Sequence, residues 1–197
     1  FGSFTLEEGT EFIENLLQAK LSDIGYHKDM GTHNRVIRIS EKVYLEVVAI
    51  NPKIRNLKNR RWFNLDNLNL QSKLKTSPQI IGYVIENNDM SISKYYDPFF
   101  EASRASYRWQ FAMPTYKNNI IDSEIIEKGI IPSLISWKSE KPIYQMKKNQ
   151  FQLISFEIVL SKTQKHFNTF LNSFGEIEHV SVSITTNENS SNFKLKL

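Results

Sequence analysis

The strongest constraint in the chain is the run Gly31-Thr32-His33-Asn34-Arg35-Val36-Ile37-Arg38-Ile39, answered by Val43-Tyr44-Leu45-Glu46-Val47-Val48. Each half alternates in polarity and is rich in β-branched side chains, the pattern of a half-buried strand. Ser40-Glu41-Lys42 between them is short and polar, which fits a hairpin turn. Pairing brings His33 and Glu46 into one neighbourhood. His33 shares its face with Arg35, Ile37 and Ile39; Glu46 shares its face with Tyr44, Val48 and Ile50. If both faces look into one concavity, a neutral imidazole and a carboxylate converge there, ligand types that a borderline divalent metal accepts.

The same region carries a resemblance. Gly25-Tyr26-His27-Lys28-Asp29-Met30-Gly31-Thr32-His33-Asn34, then Tyr44-Leu45-Glu46, then Arg61-Trp62-Phe63-Asn64-Leu65-Asp66 resemble the glyoxalase-like domain family of the vicinal oxygen chelate superfamily. Arg108-Trp109-Gln110-Phe111-Ala112-Met113-Pro114 and Ile131-Pro132-Ser133-Leu134-Ile135-Ser136-Trp137 continue the match in order. The resemblance implies an α+β fold of repeated βαβββ modules, with curled mixed sheets around a cavity. It also implies a site location, with a divalent metal (Zn, Mn, Ni, Co or Fe) on His33, Glu46 and His27. It does not imply one reaction, because the superfamily spans lyases, dioxygenases, epimerases and plain binding proteins.

Composition narrows the classes. The chain has 197 residues, 40% hydrophobic and 23% charged, which is enough to bury a real core. No apolar run approaches the roughly 18 residues that a membrane helix needs, and no basic-then-apolar leader opens the sequence. With no cysteine there is no disulfide framework, thiolate metal site or cysteine nucleophile, so a cytoplasmic location is expected. The net charge of +4 and pI near 9.1 raise the question of nucleic acid. The densest basic cluster, Lys53, Arg55, Lys58, Arg60 and Arg61, reads as a solvated loop, with no nucleic-acid motif beside it. The expected partner is a small-molecule ligand, with no nucleic acid and no membrane; a homodimer is compatible with the sequence.

Along the chain, Thr5-Leu6-Glu7-Glu8 is a capping box that opens a helix, with Leu6, Ile13, Leu16 and Leu17 at helical spacing. A strand over 79–85 precedes a helix near Met90 to Tyr96, and a strand over 153–160 precedes a helix from about Thr163. That last helix sets Phe167, Phe170, Leu171 and Phe174 on one face, with Gly175 as its C-cap. Strand, helix and strands therefore recur as an internal repeat. The first copy lacks its opening strand, where the resemblance implies a further histidine. Tyr107 lies within a strand over 106–113, and 130–137 reads as an edge or bulged strand because of Pro132. A strand over 179–184, a turn-rich tip over 187–192 and a strand over 193–197 close the chain. The resulting division is paired modules over 1–140, a linker over 141–150 and a partial third βαββ module over 151–197.

Two functions remain open on this reading. In the first, a metal acts as Lewis acid on a substrate with vicinal oxygens, with Glu46 as ligand or catalytic base. Arg104, Arg108, Trp109 and Asn34 would then contact substrate, an inward arginine clamping a carboxylate. In the second, the same scaffold binds or sequesters a small molecule without turnover. His166 and His179 have no partner pattern and read as structural.

Overall fold

The computed structural model describes every residue of the chain except 56, 58, 59, 89–94, 116–122, 162–166, 173, 176 and 186–191. It is a mixed α+β protein with several small sheets and few helices. The chain divides into two compact units, a larger one of Phe1–Arg38 and Tyr44–Lys148 and a smaller one of Ile39–Val43 and Asn149–Leu197. Among the described residues, no helix is long and apolar enough to cross a membrane.

In the larger unit, the capping box forms as the sequence requires. The Thr5 hydroxyl accepts from the Glu8 amide, the Glu8 carboxylate accepts from the Thr5 amide, and both distances are 3.2 Å. They open helix α1 (Leu6–Leu17), which Gln18 closes in the left-handed conformation. Leu6, Gly9 and Ile13 are buried, whereas Leu16 is 63% exposed, so the apolar stripe is narrower than the sequence spacing suggests. Gly9 weakens the helix locally but admits close packing. A Cβ there would lie 2.4 Å from Ser3 Oγ and 2.6 Å from Val47 Cγ1.

α1 packs on an antiparallel sheet of β1 (Gly25–His27), β2 (Thr32–Arg38) and β3 (Tyr44–Ile50), in that order. This is the expected hairpin with one extra strand. The first copy is expected to lack its opening strand, and in that place Phe1–Ser3 bridges two segments. Gly2 pairs in parallel fashion with Val48 of β3 and in antiparallel fashion with Gln79. The expected strand over 79–85 is realised as that bridge followed by β4 (Val84–Glu86). The helix expected near Met90 lies largely outside the described residues.

α2 (Leu68–Thr76) is a helix that the hydrophobic periodicity does not announce, because it buries only Leu74. Its start is set by Asn67, whose side chain accepts from the Leu70 amide at 2.9 Å. A second sheet has the order β4, β7 (Ser133–Trp137), β6 (Tyr107–Ala112), β5 (Phe100–Arg104). β7 therefore lies inside the sheet and not at its edge. Pro132 directly precedes it, so the missing amide costs no ladder hydrogen bond. The short helix α3 (Ser123–Glu127) precedes β7. Trp62, Leu65, Leu74, Trp109 and Phe111 share one core with Met30 and Val48.

Two members of the basic cluster are tied into this unit. Arg60 Nη2 meets Asp97 Oδ2 at 2.8 Å and the Pro114 carbonyl at 2.7 Å. Arg61 pairs with Asp66 and donates to the Gly31 carbonyl at 3.3 Å.

In the smaller unit, β8 (Ser155–Ser161) lies between β9 (Val180–Thr185), parallel to it, and β10 (Asn192–Lys196), antiparallel to it. Helix α4 (Phe167–Asn172) connects β8 to β9, the right place for a parallel crossover. Leu171 is buried, Phe170 and Phe174 pack edge to face at 5.2 Å, and Gly175 has a φ of +77° as a C-cap should. Phe156 and Phe193 stack across β8 and β10 at 5.3 Å. The tip expected over 187–192 falls almost wholly outside the described residues.

The contrast within α1 is testable. Ile13→Ala should cost about 2–5 kcal/mol, as truncation of a fully buried aliphatic side chain does. Leu16→Ala should stay within about 0.5 kcal/mol. Urea unfolding followed by circular dichroism measures both, and equal effects would contradict the packing described.

Candidate ligand-binding cleft

The register of the first sheet decides which side chains can meet. Directly opposed residues on antiparallel strands share a face. Val36 opposes Glu46, Asn34 opposes Val48 and Ala49 opposes His33 in the β2–β3 pair. His27 opposes Thr32, and Tyr26 opposes His33, in the β1–β2 pair. His27, Thr32, Asn34 and Glu46 therefore lie on one face, and His33 lies on the other. The expected convergence of His33 with Glu46 does not occur. His33 is on the face that packs under α1, near the charge of Glu7, and its Nε2 is buried without a hydrogen-bond partner.

On the second sheet, Arg104 opposes Tyr107, and Ala102 opposes Trp109. Arg104, Tyr107, Trp109 and Phe111 consequently share a face, which β7 extends with Ile135 and Trp137. Arg108 points the other way and is exposed, so it does not join Arg104. Between these two faces, within the larger unit, lies a cleft of about 60 Å³. His27, Asn34, Glu46, Arg104 and Trp109 line it, as do Trp62 and Tyr44 from the quoted motifs and Met146, which no sequence pattern singles out.

A continuous hydrogen-bonded chain runs along the floor. Asn34 Nδ2 donates to Glu46 Oε1 at 2.7 Å, while Arg104 Nη1 donates to Asn34 Oδ1 at 3.0 Å. The same Nη1 lies 3.3 Å from His27 Nε2, and His27 Nδ1 lies 3.2 Å from Thr32 Oγ1. Trp62 Nε1 also donates to Thr32 Oγ1, at 3.1 Å, and its ring stands edge-on to His27 at 4.6 Å. A guanidinium can only donate, so His27 Nε2 accepts and the proton resides on Nδ1. The guanidinium fits because residue 25 is glycine. A Cβ there would fall 2.1 Å from Arg104 Nη1 and 2.3 Å from Asn34 Oδ1.

Electrostatics follow from this arrangement. Burial, the Arg104 charge and His33 push His27 down to about 3, so its imidazole is neutral. Burial holds the Glu46 carboxyl above its ordinary range, against the opposing pull of the Asn34 hydrogen bond and of Arg104. Glu46 retains some accessible surface, but it lines the cleft, where solvation is poorer than in bulk water. Burial likewise raises the Tyr44 phenol.

The sequence as a whole agrees with a known family. Residues 1–172 match the family model described as a glyoxalase-like domain. The chain belongs to the glyoxalase-like domain family. It is thereby a member of the vicinal oxygen chelate superfamily. A search of curated proteins finds no match.

In this glyoxalase-like domain the divalent metal implied by the resemblance meets an unsuitable donor set. No group of three or more His, Cys, Asp or Glu side chains among the described residues could hold a metal ion. Both His27 nitrogens face partners already, and the partner at Nε2 is itself a cation. Glu46 Oε1 is engaged by Asn34. With His33 on the opposite face, the residues brought together do not fit the ion.

The depressed His27 pKa makes a pH prediction for the fold. A histidine that stays neutral when folded but protonates when unfolded stabilises the fold above its unfolded pKa, and that contribution is lost as pH falls. Stability should therefore decline from about 6.5 toward about 3. His27→Gln should flatten that part of the profile. Urea midpoints measured across the window check it, and an unchanged slope would be evidence against a neutral, buried His27.

Proposed function

We propose that the cleft of the larger unit is a small-molecule site that holds an organic anion on Arg104, without a metal. The carrying observation is the placement of Arg104. Its Nη1 is anchored by Asn34 and His27, and no other nitrogen of this guanidinium has a partner among the described residues. An anchored guanidinium with free donors presents the planar fork that matches a carboxylate bidentately. Glu46 does not cancel it at close range, because Asn34 stands between the two.

The metal-dependent enzyme implied by the resemblance draws less support, since its donor set is not assembled on one face. Ligand binding or sequestration accounts for the residues that do converge. The same reading takes the two sheets of the larger unit as related βαβββ modules about the cleft. Its support is the way Phe1–Ser3 bridges β3 and Gln79, as an opening strand shared between modules would.

Thermal unfolding tests the proposal, because a ligand that binds only the native state raises the melting temperature by mass action. Acetate and oxalate should each stabilise the protein, and Arg104→Met should abolish the effect. Loss of a charge-assisted hydrogen bond of about 1.5–3 kcal/mol corresponds to roughly 10–100-fold in affinity. Zn²⁺, Mn²⁺, Ni²⁺ and Co²⁺ should not bind saturably by calorimetry. Saturable metal binding that is lost in both His27→Ala and Glu46→Gln would overturn the proposal in favour of the metal enzyme.

A further inference from the structure

The walls of the cleft say more about the anion than its charge does. All three tryptophans of the chain, Trp62, Trp109 and Trp137, line it. Trp62 packs against Phe111 at 5.4 Å and 61°, and Trp109 against Trp137 at 5.6 Å and 52°. Trp62, Trp109 and Phe111 are buried and form the floor, whereas Tyr107, Trp137 and Met146 keep accessible surface and form the mouth.

The volume then divides the ligand in two. The space of about 60 Å³ suits an acid group and its attached carbon, but a cavity that encloses a benzene ring is about 150 Å³. A ring on that carbon must therefore lie in the mouth, beside Trp137, Tyr107 and Met146. Flat rings are favoured there by offset and edge-on contacts of about 0.5–1.5 kcal/mol each beyond their buried area. Met146 is suited to the outer side, because an unbranched thioether re-packs readily and contacts ring edges favourably. The segment carrying it is tethered: Tyr107 Oη donates to Gln145 Oε1 at 2.6 Å, and Lys141 Nζ to Glu86 Oε2 at 2.6 Å.

We infer that the ligand class of this cleft is an aryl acid, its carboxylate on Arg104 and its ring in the aromatic mouth beside Met146. The inference rests on the anion reading above and adds the requirement for a flat ring. Every tryptophan faces the cleft, so intrinsic fluorescence reports on this site.

Benzoate, cyclohexanecarboxylate, acetate and benzamide are the probes for the intact chain, with binding followed by tryptophan emission and by calorimetry. Benzoate should bind at least about tenfold tighter than cyclohexanecarboxylate and acetate, and tighter than neutral benzamide by a similar factor, the scale of one such contact. Arg104→Met should remove the preference for benzoate over benzamide. Met146→Trp should fill the mouth and abolish benzoate binding while sparing acetate. Met146→Ala widens the mouth instead and should weaken the benzoate preference, which keeps the test valid if the tryptophan variant misfolds. Equal affinity for benzoate and cyclohexanecarboxylate would overturn the aryl requirement and leave the anion reading standing. Binding of benzamide as tight as benzoate, insensitive to Arg104→Met, would overturn both, as would no binding of any probe.

Discussion

The antiparallel pairing of β2 with β3 sets the side-chain parity on which the cleft depends. The loop between them is centred on Glu41, so Val36 faces Glu46 and Ala49 faces His33. A slip of one residue would turn the side chains of one strand over relative to its partner. With β3 held in place, Asn34 would lie under α1 and His33 would enter the cleft beside Glu46, and the hydrogen-bonded floor could not form. What holds the register is burial on both sides. Val47 and Ala49 pack beneath the helix, while Val48 belongs to the core shared with Trp62 and Trp109.

On that frame, charge is arranged by separation. Glu46 and Arg104 are opposite charges in one poorly solvated space, yet they are joined through the amide of Asn34 instead of touching. The amide has one donor for the carboxylate and one acceptor for the guanidinium, so it satisfies both without neutralising either. His27 completes the anchoring as a neutral acceptor, a state that burial and the neighbouring cation enforce. Gly25 provides the room, because any side chain there would collide with the guanidinium. Four residue types are thus explained by one anchored arginine.

Membership of the glyoxalase-like domain family and the chemistry of the cleft are separate statements. The family accounts for the order of the motifs over residues 1–172. The donor set is a matter of this chain's own residues, and here the cation in the cleft is a side chain. A fold that elsewhere hosts many chemistries supplies a location, and the local residues decide what it binds.

Much of the hairpin was legible because alternation and a short polar turn are local signals, and α1 because a capping box is written in four consecutive residues. The parity of His33 and Glu46 was legible too. Centring the turn on Glu41 places them on opposite faces, because proximity across a hairpin is not convergence on one face. Asn34, His27 and Glu46 lie in the motifs that carry the resemblance and Arg104 lies outside them, and nothing in their spacing links β5 to β2, seventy residues away from Asn34. Only the packing of two separate sheets brings them within hydrogen-bond distance. α2 escaped notice because it buries a single leucine and so leaves almost no periodicity. Pro132 suggests an edge or bulged strand in the sequence but directly precedes β7, since a sequence shows the residue but not where its ladder begins. Arg108 and Arg104 look alike in the chain, and the pairing of β5 with β6 alone sends one into the cleft and the other to solvent. Local chemistry chose the elements, and long-range pairing chose which faces of them confront each other.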